Sequence, residues 1–120
     1  MTQYAIMLNA GTDDVGPTAN GLEYALDLDA AGHDVEVFLD GVATTWPGTL
    51  AKKPDHPVND YFETATERGL IAGACRFCAD AFGGTDGVEA AGIDLIGEEG
   101  EHGPNVGDLA TAGYTFLTVG

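Results

Sequence analysis

Apolar runs of strand length alternate along this chain with stretches whose apolar residues recur at helical spacing. QYAIMLN (3–9) is a continuous apolar run closed by Gly11, as in a strand buried on both faces. After the turn GTDDVG (11–16), Pro17 stands at a first helical position, with Leu22, Ala25 and Leu26 on one face and Asn20, Glu23 and Asp27 on another. This spacing predicts an amphipathic helix over 17–31, stopped by Gly32, and DVEVFLD (34–40) predicts a second strand. ATTWPGTLAKKPDHP (43–57) has three prolines and no period. It reads as a loop long enough for a lid or a contact surface, with Trp46 either at an interface or over a site. Val58, Phe62 and Ala65 oppose Asp60, Glu63 and Glu67, which predicts a helix ending near Gly69. GLIAGA (69–74) is a short strand, and Arg76–Phe82 begins another helix. GIDLIG (92–97) is a fourth strand, PNVGDLATAG (104–113) a short helix with Val106, Leu109 and Ala110 inward, and YTFLTV (114–119) a fifth strand.

Strands alternating with helices imply an α/β fold, a three-layer αβα sandwich around a mostly parallel five-stranded sheet. The 120 residues match one domain, spanning 1–120, with a single core. In such sheets, sites form outside the carboxyl ends of the strands, often where the strand order switches. Cys75 lies at that end of the third strand and the loop 11–16 at that end of the first.

Charge narrows the partners. Asp and Glu number 20 against four Lys and Arg, a formal net charge of −16. A basic face for phosphate is missing, so neither nucleic acid nor an anionic membrane is expected as a partner. The acidic residues are dispersed rather than gathered in a tail, the pattern of proteins from cells with concentrated intracellular salt, and the chain reads as halophilic. No run is apolar enough for a membrane span and the N-terminus lacks a signal-peptide pattern, so a cytoplasmic location is expected. There, cysteines three positions apart would remain thiols.

Both thiols fall in GACRFCADAFG (73–83), at a strand-to-helix junction. With a helix starting at Arg76, Cys75 is its N-cap and Cys78 lies in its first turn, where unpaired N–H groups and the helix dipole favour thiolate. Arg76 adds a neighbouring cation, so Cys75, Cys78 and Arg76 are the expected reactive set, with Cys75 reachable from the crevice and more reactive than Cys78. Packing under the sheet edge is the alternative use of the two cysteines. A closed zinc site needs four ligands, and His33, His56 and His102 are scattered, so no metal and no cofactor is expected. His33 after Gly32 suits helix-end carbonyls, and His102 in EEGEHGPN reads as a solvated loop residue or as one facing the thiols. GTDDVG puts two carboxylates where a phosphate cradle would need none, and is a turn. A receiver domain would need an Asp where Cys75 stands.

AIMLNAGTDDVGPTANGLEYALDLDAAGHDVEVFLDGV, the Cys75-x7-Gly83 segment and the closing YTFLTVG together resemble the DsrE/DsrF-like family, which includes TusD-type sulfur-relay subunits. The similarity runs over essentially the whole chain. It implies a persulfide carried on Cys75, a homo-oligomer of trimer or hexamer size, and sulfur donor and acceptor proteins as partners. Many relatives have Arg before the glycine where this chain has Phe82, which leaves Arg76 as the nearby cation. The expected function is a sulfur carrier or sulfurtransferase. The alternatives are a non-catalytic oligomeric binding module with structural thiols, and a thiol-disulfide redox protein, although the latter's usual W-C-x-x-C context is missing.

Overall fold

A computed structural model describes residues 2–120. Its five strands are β1 (Gln3–Leu8), β2 (Asp34–Leu39), β3 (Ile71–Cys75), β4 (Leu95–Ile96) and β5 (Tyr114–Val119), all in one sheet in the order β4-β3-β2-β1-β5. Every pairing is parallel. The helices are α1 (Val15–Ala30), α2 (Trp46–Lys52), α3 (Asn59–Glu67), α4 (Arg76–Phe82), α5 (Thr85–Ala90) and α6 (Val106–Thr111). The expected α/β class and five-stranded parallel sheet are thus present.

The strand order dictates the layering. From β1 to β4 the chain steps one way across the sheet, and right-handed crossovers then put the connecting helices on a single face. The main core bears this out: Ile6, Leu8, Val37 and Leu39 of the sheet pack with Leu22 and Ala25 of α1, Trp46 and Leu50 of α2, Phe62 and Ala65 of α3, and Val88 of α5. The return from β4 to β5 runs the other way and sends α6 to the opposite face. There Ala5, Met7 and Phe38 meet Leu109 of α6 with Ile96, Tyr114 and Phe116. The third layer is therefore one short helix, and the sandwich is lopsided.

Two segments differ from the hydropathy reading. Residues 43–57 are a loop only from Lys53 on: a 3-10 turn covers Gly41–Thr45 and α2 follows it directly to Lys52. Pro47 sits in the first turn of α2, where its missing N–H costs nothing, so proline here starts a helix rather than preventing one. Trp46 is neither lid nor surface residue. It is 1% exposed and its indole Nε1 donates to the Ala10 carbonyl at 2.8 Å. Helix α5 was not apparent from the sequence, because TDGVEA offers one buried residue, Val88, and no repeat of it.

Candidate functional site

Three adjacent strands each deliver one polar group beyond their carboxyl ends. Asp40 follows β2, Cys75 closes β3, and His102 lies on the loop after β4. Strand order, rather than closeness in sequence, brings them together. The progression of strands across the sheet reverses at β1, with β2 on one side and β5 on the other, so the thiols are not at the switch point.

Cys75 is the N-cap of α4, with extended backbone at φ −63° and ψ 120°, and Cys78 lies one turn on. The Cys75 Sγ is 3.5 Å from His102 Nδ1 and accepts from the Gly103 N–H at 3.5 Å. The Cys78 Sγ is 3.9 Å from the same imidazole nitrogen and donates to Asp40 Oδ1 at 3.4 Å. Asp40 Oδ1 also accepts the Gly41 N–H at 3.0 Å. Burial, followed by hydrogen bonding with Cys75 and with Asp40, pushes the Cys78 thiol up to about 12, although the Gly41 backbone pulls the other way. Cys78 thus keeps its proton, as a thiol beside a carboxylate should.

Exposure reverses one expectation. Cys75 is 1% exposed and Cys78 8%, so neither is openly accessible and Cys75 is the more deeply placed. The reason is the loop after β4, which folds back over the end of β3. Phe77 N–H donates to the Glu101 carbonyl at 3.2 Å, and its ring lies 4.3 Å from the His102 ring at an interplanar angle of 37°. Gly103 passes so close to β4 that an added Cβ would stand 2.4 Å from the Ile96 carbonyl oxygen, which only glycine avoids.

Arg76 does not join the thiols by a hydrogen bond among the described residues. Its Nε donates to the Gly97 carbonyl at 2.8 Å, tying α4 to the start of the same loop. His102, exposed on that loop, completes the group. Asp40 was missed because nothing in DVEVFLD separates it from an ordinary strand-end carboxylate. Among the described residues, Cys75, Cys78 and His102 form the one group of metal-capable side chains, with ligand atoms all within 4.8 Å of one another. The other histidines are elsewhere: His33 packs edge-on against Tyr4 with ring centroids 5.4 Å apart, and His56 against Trp46 at 5.3 Å.

No protein-family model matches the chain, and neither curated proteins nor solved structures give a match.

Proposed function

We propose that the chain is a sulfur carrier of sulfurtransferase type, in which Cys75 accepts sulfane sulfur and passes it on. The observation that carries this reading is the placement of the Cys75 Sγ between His102 Nδ1 and the Gly103 N–H, both at 3.5 Å. His102 can take the thiol proton, and the backbone N–H can hold the resulting anion. Cys78, held as a thiol, stays a hydrogen-bonding neighbour. The resemblance noted in the sequence adds to this reading and implies an oligomer that meets separate donor and acceptor proteins.

In the first step the Cys75 thiolate attacks the outer sulfur of a donor persulfide, R–S–SH. The new bond joins the Cys75 sulfur to that outer sulfur, the donor S–S bond breaks, and R–S⁻ leaves to be protonated by His102. An acceptor thiolate then attacks the outer sulfur of the Cys75 persulfide and restores the Cys75 thiolate. No net oxidation occurs in either exchange. Because Cys75 is covered, the donor enters as the loop after β4 opens, His102 staying beside the sulfur, and Phe77, 42% exposed, offers it an apolar contact.

Mass spectrometry of the reduced protein, after exposure to a low-molecular-weight persulfide, tests this. The expected result is a gain of one sulfur atom, reversed by a thiol reductant, absent in Cys75→Ser and slowed in His102→Ala. The C-x-x-C pairing also favours a second reading, thiol-disulfide exchange, which would appear as a loss of two hydrogens with no sulfur gained. No adduct on a chain whose thiols remain titratable would instead leave a binding module with structural cysteines.

A further inference from the structure

We propose that the cluster formed by Cys75, Cys78 and His102 is a zinc site with three protein ligands and a fourth position for water or an external ligand. Two cysteines alone would not carry this, and the sequence separates them from any histidine; the fold supplies the third ligand from the loop after β4.

The separations are those a tetrahedral zinc ion requires. Zn–S bonds of about 2.3 Å and Zn–N bonds of about 2.0–2.1 Å, at tetrahedral angles, set ligand atoms roughly 3.6 Å apart for S and N and roughly 3.8 Å apart for two sulfurs. The Cys75 Sγ and Cys78 Sγ lie 3.5 and 3.9 Å from His102 Nδ1, and all three atoms fall within 4.8 Å of one another. An ion can thus be taken up by small rotations of side chains, with no strand displaced. Zinc replaces the two thiol protons, which pass to solvent, and no electron is transferred. Thiolate and imidazole together select zinc over the hard cations that carboxylates bind.

Other features prepare the site. The Phe77 ring, 4.3 Å from the imidazole, holds His102 in orientation. Arg76 and the Phe77 N–H pin the loop to α4 through the Gly97 and Glu101 carbonyls. The formal charge of −16 draws divalent cations toward the protein. With one ligand outside the chain, the arrangement has the open coordination of reactive zinc sites rather than the four protein ligands of structural ones. This inference does not depend on the sulfur-carrier reading. The two do bear on each other, since zinc and sulfane sulfur use the same Cys75 electron pair and exclude one another.

The test is titration of the full chain, freed of metal and reduced, with Zn(II) against a chromophoric chelator, repeated with Co(II) to read its absorption. Excess Mg(II) and molar KCl are present throughout, so that surface carboxylates are already occupied. The expected result is one Zn(II) per chain, a sulfur-to-cobalt charge-transfer band, and loss of both in Cys78→Ser. His102→Ala, an exposed-loop change that leaves the core intact, should keep the band and weaken Zn(II) binding by more than the roughly 10–100-fold typical of losing a supporting hydrogen bond. Zn(II) uptake that Mg(II) displaces, or that survives unchanged in Cys78→Ser and in His102→Ala, overturns the proposal. Neither readout involves sulfur uptake, so a failed adduct experiment and a failed titration are distinguishable.

Discussion

Cys78 shows how neighbours, rather than residue type, set a side chain's behaviour. Its thiol would ionise near 9.0 in an unfolded chain and near about 12 in the fold. Below pH 9 both states hold the proton, and the folded-state advantage is complete. Between about 9 and about 12 only the unfolded chain releases it, so stability falls as pH rises, by at most about 1.4 kcal/mol per pH unit. Tyr114, raised above 10.0 by its hydrogen bond to Glu36, adds a loss of the same sign. Urea unfolding of metal-free, reduced protein across the alkaline range should show this decline. Cys78→Ala should flatten it and Tyr114→Phe should remove a smaller part. An identical slope in both variants and the parent would refute the assignment.

At the scale of elements, α2 and α5 meet backbone to backbone at Gly48 and Gly87. An added Cβ on Gly87 would lie 2.6 Å from the backbone of Gly48, with no flexible side chain to give way. Gly87→Ala should therefore force the helices apart and lower stability by about 1–3 kcal/mol. Gly16→Ala, in the first turn of α1 with nothing within 4 Å, should be neutral or stabilising by up to about 1 kcal/mol. Denaturant midpoints of the two variants on opposite sides of the parent would confirm the difference. This contact also explains what the sequence left hidden. Glycine marks a turn when local geometry is all that can be seen, yet here it marks a place where two helices touch, and so both helices went unseen or were read as loop. Strands β1, β2 and β5 were legible as apolar runs of strand length, and helices α1 and α3 because one-sided burial imprints a helical period on their own residues. The candidate site was half legible: the thiols announce themselves by spacing and by their place after β3, whereas Asp40 and His102 join them only through strand order. Arg76 stands next to Cys75 in sequence, but its hydrogen-bond partner, the Gly97 carbonyl on the loop after β4, is set by strand order and was not legible.

For the whole molecule, charge is the dominant long-range force. One salt bridge is present among the described residues, Arg68 to Asp29 at 3.4 Å, and it is partly exposed. Nothing of that size balances −16, so self-repulsion is left to the solvent to screen. Raising ionic strength from 0.1 M to 1 M shortens the Debye length from about 10 Å to about 3 Å. The thermal midpoint should climb by several degrees over that range in KCl, and a flat or falling midpoint would contradict it. Cohesion is also unevenly spread. β1 is paired along six residues with β2 and along six with β5, whereas β4 is held to β3 at only Ala74 and Cys75. The loop covering the buried sulfur hangs from this weakest rung. Edge fraying of that kind takes far less free energy than global unfolding. Access to Cys75 is then a local breathing equilibrium, and a small thiol reagent should react at a rate that follows amide exchange at the β3–β4 edge while the β1–β2–β5 flank stays protected.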